Sequence, residues 1–375
     1  MGALQGIRVI EMAGLAPAPF CGMILADFGA DVVRVDRVGA ASFDHLARGK
    51  RSLAVNLKSA DGVRTVLRLA EQADVLLEPY RPGVMERLGL GPAVACTRNP
   101  RLVYARLTGF GQDGPYANMA GHDINYIALS GALSLLGRKG EKPFAPINLL
   151  GDFAGGGMLC ALGIALALLE RARSGQGQVV DAAMVDGAAY LSTFVYKFRN
   201  AGMWRDERGT NMLDSGAPFY DTYRTKDGHY VSVGAIEPQF YAALLNGLGL
   251  DAATMPQQMD QATWPDTAAR FRAIFAGKTR DEWCAVFDGT DACVAPILGL
   301  AEVAEHAHNR ARRLLLSDPH GKREPAPAPR LSRTPGDGSR PLPQVGEHTR
   351  AVLAEYGFSP AEIAGLTEAG AIGQS

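Results

Sequence analysis

The sequence predicts an α/β protein, with a large domain on an open, mostly parallel, Rossmann-like sheet and a smaller α+β domain behind it. Three observations carry this prediction. Short β-branched runs alternate with helical segments from the amino terminus to about position 105, which is how βαβ units read in sequence. Near Arg199 the alternation gives way to a polar passage and then to a hairpin followed by helices. A chain of 375 residues, 47% of them apolar, exceeds what one compact core usually serves.

In order, 7–11 reads as a strand, 20–28 as a helix and 31–35 as a second strand, parallel to the first. Arg48-Gly49-Lys50-Arg51 is a basic loop expected to be solvated, leading to a short strand at Val55-Asn56-Leu57-Lys58. A helix over 61–72 and strands over 73–77 and 101–105 extend the sheet. The loop Glu78-Pro79-Tyr80-Arg81-Pro82-Gly83 and a short helix carrying Arg87 follow the 73–77 strand, on the side where open α/β sheets bind ligands. A further buried strand is expected over 178–182. Residues 223–233 read as a hairpin with an Asp227-Gly228 turn, followed by helices over 238–250, 266–275 and 279–287 and a strand over 292–295. Pro325, Pro327, Pro329, Pro335 and Pro341 predict an extended connector, after which 347–356 resumes a helix. The expected division is 1–190 for the large domain, 191–222 for a linker and 223–308 for the small domain. Residues 309–375 are a second linker and a helix returning to the large domain.

Thirty-eight basic and 39 acidic residues give a net charge of -1, so nothing in the composition attracts nucleic acid or an anionic membrane. Five scattered cysteines without a C-x-x-C pattern signal neither a disulfide framework nor a zinc site. His306 and His308 lack a third ligand, so no metal is expected there. There is no secretory pattern, no myristoylation signal and no peroxisomal ending, which predicts a cytoplasmic protein. The uncharged run 153–169 falls short of the roughly 20 residues of a membrane span and is expected to be a buried core helix. Gly14-Leu15-Ala16-Pro17-Ala18-Pro19 lacks the glycine fingerprint of an NAD site, although Asp36 follows the second strand as such a site requires. Arg37 beside Asp36 suits a phosphate partner, with a surface Asp-Arg pair as the alternative.

Two stretches thirty residues apart concentrate the chemistry: Gly121-His122-Asp123-Ile124-Asn125-Tyr126 and Gly151-Asp152-Phe153-Ala154-Gly155-Gly156-Gly157. Each sets an ionisable side chain at the start of an apolar helical run, where free N-H groups and the positive helix end meet anions. Taken singly, such a histidine is a cap or core residue, such an aspartate an N-cap, and such a glycine triplet a helix-packing device.

Together with Val233-Gly234-Ala235-Ile236-Glu237-Pro238-Gln239-Phe240-Tyr241, these strings resemble the α-methylacyl-CoA racemases of the family III CoA-transferase superfamily. The resemblance runs from the first strand to about position 310. It is weakest over 38–47 and from 313 onward, and the carboxyl-terminal peroxisomal signal of animal members is missing. It implies the family III CoA-transferase fold and an interlocked homodimer whose active site joins the large domain of one subunit to the small domain of the other. In that arrangement His122 and Asp152 are the acid/base residues of an enzyme of fatty-acid metabolism, and Glu237 reaches His122 across the interface. Arg37, Val55, Asn56, Leu57, Lys58, Gly121, His122, Asp123, Ile124, Asn125 and Tyr126 line the CoA site, with Arg87 as a further phosphate contact. No cofactor is implied, coenzyme A being part of the substrate.

The chemistry is consistent with those roles. Inverting a stereocentre by 1,1-proton transfer needs one base on each face of the α-carbon, resting in unlike protonation states, and His with Asp meets that near neutral pH. The enolate needs donors, expected to be the N-H groups of Asp152 and Phe153, and the glycine triplet is expected to let pantetheine or the acyl chain approach closely. The rival is a CoA transferase of the same fold with Asp152 as acyl-carrying nucleophile, which has no use for a second base such as His122. An acyl-CoA-binding protein without turnover needs none of His122, Asp152 and Glu237.

Overall fold

The structure is a computed structural model that describes residues 2–40, 44–317 and 321–373; residues 41–43 of the divergent stretch 38–47 lie outside it, as do Gln374 and Ser375. The first run of elements is β1 (Arg8–Met12), α1 (Pro17–Asp27), β2 (Asp31–Arg37), β3 (Arg51–Val55), α2 (Ala60–Ala70), β4 (Val75–Glu78), α3 (Val84–Arg87), α4 (Pro92–Arg98), β5 (Val103–Thr108) and α5 (Asp123–Leu129). A π-helix (Leu149–Met158) then runs directly into α6 (Leu159–Ser174), followed by β6 (Val179–Ala183) and α7 (Met184–Leu191). Next come α8 (Thr193–Asn200), β7 (Tyr220–Arg224), β8 (Tyr230–Gly234), α9 (Pro238–Gly247), α10 (Trp264–Phe275), α11 (Arg280–Phe287), β9 (Val294–Pro296) and α12 (Ala307–Ala311). The chain closes with β10 (Leu315–Ser317), β11 (Arg323–Pro325), α13 (Thr349–Glu355), α14 (Pro360–Glu368) and β12 (Ile372–Gly373).

The chain divides into two compact units, one comprising 1–130, 146–192 and 313–375 and the other 131–145 and 193–312. In the larger unit a seven-stranded sheet has the order β12-β3-β2-β1-β4-β5-β6, parallel throughout except for β12, which pairs antiparallel with β3. Successive strand residues point to opposite faces and so feed two cores. Ile10, Val33, Val35 and Leu53 pack with α2, α13 and α14 on one face. Val9, Val32, Val75 and Val103 pack with α1 and α6 on the other. This is a doubly wound α/β layer.

The smaller unit holds the antiparallel sheet β7-β8-β9, with Tyr223, Val231, Phe271, Phe275 and Trp283 in one aromatic-rich core. The hairpin turns at Asp227-Gly228, where Gly228 takes a φ of 82°. The units depart from the expected boundaries for identifiable reasons. Arg208 donates to the carbonyls of Ser134 (3.0 Å) and Glu141 (2.7 Å), which ties 131–145 into this unit. The expected linker 191–222 is largely built structure: Asn211 is buried and bonds Arg205 and Asp214.

Four further expectations are corrected. The strand expected at 55–58 is 51–55, and Asn56, Leu57 and Lys58 turn into α2, whose N-cap Ser59 accepts from Gly62 N-H at 2.9 Å. The basic loop before it is not solvated, because Arg48 pairs with Asp27 (2.6 Å) and Lys50 with Glu11 (2.8 Å), all four buried. The strand expected to be buried near 180 is the sheet's edge, with alternate residues exposed. The helix expected to be buried is half covered: Cys160, Ala161, Ile164 and Ala167 face the core, while Met158, Leu162, Leu166 and Leu169 are exposed. By length and composition alone, Leu149–Ser174 would suffice to cross a membrane; in the fold its inner face packs on the sheet like that of a helix in a soluble α/β protein. All five cysteines are free thiols.

Candidate active site

A cavity of about 850 Å³ opens at the carboxyl ends of β1, β4 and β5, where the loops after these strands meet α5 and the π-helix. Parallel strands leave room for ligands at this edge because their crossover helices diverge there. His122 and Asp152 both line this cavity, with Gly121, Asn125 and Tyr126 beside them.

His122 is the N-cap residue of α5. Its backbone N-H donates to Asn125 Oδ1 at 3.0 Å, which fixes the entry to the helix while the imidazole remains exposed. The Tyr126 ring braces the preceding turn: its hydroxyl donates to the Gly121 carbonyl, and Phe110 packs edge-on against it at 4.9 Å. Position 121 has to be glycine here, since a Cβ would sit 2.7 Å from that ring.

Asp152 lies in the first turn of the π-helix, half-buried. Burial raises its carboxyl above the ordinary carboxylate range; Asn148 Nδ2, donating at 3.2 Å, opposes the shift, the Asp123 charge adds to it, and His122 opposes it. The N-H groups expected to serve an enolate are already engaged. Asp152 N-H donates to Asp123 Oδ2 (2.7 Å) and Phe153 N-H to the Asn148 carbonyl (3.3 Å), the latter being the i to i+5 bond of the π-helix. The glycine triplet is likewise committed to packing. A Cβ at Gly155, Gly156 or Gly157 would meet Ala188 N (2.9 Å), Met184 Cγ (2.8 Å) or the Pro17 carbonyl (2.6 Å), so α7 and α1 occupy the space expected for a ligand.

The remaining expected residues do not line the cavity. Arg37 ends β2 beside Val55 of β3, Lys58 follows β3, and Arg87 closes α3, all on the carboxyl side of the sheet. Arg37, Lys58 and Arg87 are exposed and have no ion partner among the described residues. Asp36 is instead buried, paired with Arg34 (2.7 Å) and Ser52 (2.6 Å), so the surface Asp36-Arg37 pair does not form. Val55 and Leu57 pack into the core, and Asn56 bonds the Gly370 carbonyl. Asp123 is buried and Ile124 exposed. Glu237 is the exposed N-cap residue of α9 in the smaller unit. The 78–83 loop, expected on the ligand side of the sheet, supplies Arg81 to the cavity wall, while Met119, also in the wall, was not singled out in the sequence.

The sequence profile of CoA-transferase family III matches residues 4–349. The chain is 58% identical to the α-methylacyl-CoA racemase of Mus musculus over 361 residues, covering 96% of this chain and 95% of the relative. It is 56% identical to the α-methylacyl-CoA racemase of Homo sapiens over 363 residues, with the same coverage. Among solved structures, a CAIB/BAIF family protein from Brucella suis superposes with a TM-score of 0.80 at 26% identity, covering 95% of this chain and 99% of that one.

Proposed function

The chain belongs to CoA-transferase family III, and on that premise we propose that it interconverts the (R)- and (S)-forms of 2-methylacyl-CoA thioesters by two-base proton transfer. It is an isomerase acting on the α-carbon of an acyl-CoA. The observation that carries the mechanism is that His122 and Asp152, two groups able to rest in unlike protonation states, line one cavity. One takes the α-proton from its face while the other delivers a proton to the opposite face, and the roles reverse with the enantiomer. Asp123 and Ile124, beside His122 in the first turn of α5, keep backbone N-H groups with no acceptor among the described residues. In this reading those groups receive the thioester oxygen as it gains charge.

Arg37, Lys58 and Arg87 hold the phosphates of CoA, for which exposed cations free of carboxylate partners are suited. Val55, Asn56 and Leu57 contribute backbone only, since their side chains serve the core and the Gly370 contact. The active form is a homodimer in the cytoplasm. A second copy covers the exposed apolar stripe Met158, Leu162, Leu166 and Leu169, and the partner's Glu237 orients His122.

Proton NMR of a single enantiomer of a 2-methylacyl-CoA with the protein in deuterium oxide, without any acceptor acid, tests this reading. Loss of the α-proton signal with appearance of the opposite enantiomer is expected. No exchange, followed by acyl transfer once a free carboxylic acid is added, would make Asp152 a nucleophile and the protein a transferase.

A further inference from the structure

Asp123 stands next to His122 in the chain, yet its side chain is only 4% exposed and does not line the cavity. Its Oδ2 accepts two backbone hydrogen bonds, from Gly151 N-H at 2.6 Å and from Asp152 N-H at 2.7 Å. These are first-turn donors of the π-helix, which have no acceptor within their own helix, and a carboxylate there also meets the helix's positive end. The other oxygen, Oδ1, is buried without a hydrogen-bond partner among the described residues, so the carboxylate's bonding is spent wholly on that turn. The fit is close from the other side as well. A Cβ at Gly151 would lie 2.6 Å from Oδ2, so only glycine allows the turn to approach this far.

We propose that Asp123 is a positioning residue for the reaction, anchoring the backbone of Asp152 to the residue adjoining His122 and so fixing the gap between the two bases. The proposal rests on the assignment of His122 and Asp152 as the acid/base pair. The path between the two bases is short: one peptide bond from His122 to Asp123, then one hydrogen bond that the Asp152 N-H donates to Asp123 Oδ2. Removing the acceptor leaves two donors unpaired, one of them on buried Gly151, and frees the first turn that carries Asp152. His122 keeps its own restraints through Asn125 and the Tyr126–Gly121 bond. The damage is therefore one-sided. The enantiomer whose α-proton faces exposed His122 still gives it to the imidazole, which exchanges it with solvent and returns a deuteron to the same face, while transfer through Asp152 fails.

The test follows each enantiomer of a 2-methylacyl-CoA by proton NMR in deuterium oxide and scores α-proton exchange and inversion separately, alongside the Kd for free CoA. For Asp123→Ala, inversion falls about 30-fold, CoA Kd stays within about threefold, and the exchange-to-inversion ratio rises about tenfold for one enantiomer only. Asp123→Asn, which keeps an acceptor oxygen, recovers inversion to within about fivefold of the unsubstituted protein. Gly151→Ala leaves Asp123 in place but crowds Oδ2, and it reproduces the one-sided pattern; it decides the matter if Asp123→Ala does not fold. Wild-type inversion in Asp123→Ala overturns the proposal, as does a loss shared equally by exchange and inversion from both enantiomers, which is what a merely structural carboxylate produces. Asp152→Ala and His122→Ala, run in parallel, separate the two readings: wild-type racemisation by either sinks the acid/base assignment itself, whatever Asp123 does.

Discussion

Lys50 Nζ lies 2.8 Å from the Glu11 carboxylate, and both side chains are fully buried beneath α1. Lys50 also donates to the Pro19 carbonyl at 2.8 Å, so one ammonium links β1 to the helix whose amino end borders the cavity. Burial pushes the Glu11 carboxyl up to about 7 even though Lys50 pulls it down.

Lys50→Met therefore leaves a buried carboxyl without its cation, and urea unfolding is expected to show a loss of about 3 kcal/mol at pH 8. The sign of the pH dependence follows from the raised carboxyl. Folded Glu11 binds its proton more tightly than unfolded Glu11, so its contribution to stability is full below about 4.5 and is lost as pH rises through about 7. Removing Lys50 raises the carboxyl further and leaves a charge to strand only when Glu11 is ionised. The deficit of Lys50→Met should thus be smaller at pH 5 than at pH 8; an equal deficit at both would contradict the ionic account.

The raised carboxyl of Asp152 sets an acid limb on the direction in which it takes the proton. As a base Asp152 must be ionised, so kcat/KM in that direction falls as pH drops through a value above the ordinary carboxylate pKa of about 3.9. The groups acting on it are Asn148, Asp123 and His122. Asn148→Ala removes a donor that favours the charged form, and the limb is expected to move to higher pH. Polarimetric pH profiles in both directions check this; a limb that stays in place or moves down excludes the role given to Asn148.

The cavity bases and the exposed cations are separate sets of residues, so chemistry and CoA binding should separate by mutation. His122→Ala or Asp152→Ala is expected to lower kcat by about 10² to 10⁴ with the Kd for CoA changed by less than about threefold. Arg37→Ala and Lys58→Ala should do the reverse, raising KM with little change in kcat. Steady-state kinetics paired with calorimetric CoA titration distinguishes these patterns, and parallel loss of both in His122→Ala would show that the division is wrong.

Much of this protein was legible along the chain. Alternating β-branched and helical periods fixed the parallel neighbours β1 and β2, because side-chain burial at periods of 2.0 and 3.6 is a local property. The Asp227-Gly228 turn announced its hairpin for the same reason. The motifs around His122 and Asp152 singled out two positions 30 residues apart, and one cavity is lined by both. Contacts between distant segments were not legible. Nothing local distinguishes the buried Lys50 from a solvated lysine, since its partner Glu11 is 39 residues away. The glycine triplet reads equally well as a ligand cradle or a packing surface until α7 and α1 fill the space.

The sequence by itself determined the α/β layering, the two-unit plan and the two motifs that meet at the cavity, because periodicity and motif are written in neighbouring positions. Only the tertiary structure decided which backbone donors are free, which charges are buried and where the units divide. Those properties depend on what comes within 3 Å after folding. Asp123 shows the difference: beside His122 it reads as part of a binding motif, and only the approach of Gly151 and Asp152, 28 and 29 residues away, turns it into the acceptor for their backbone N-H groups.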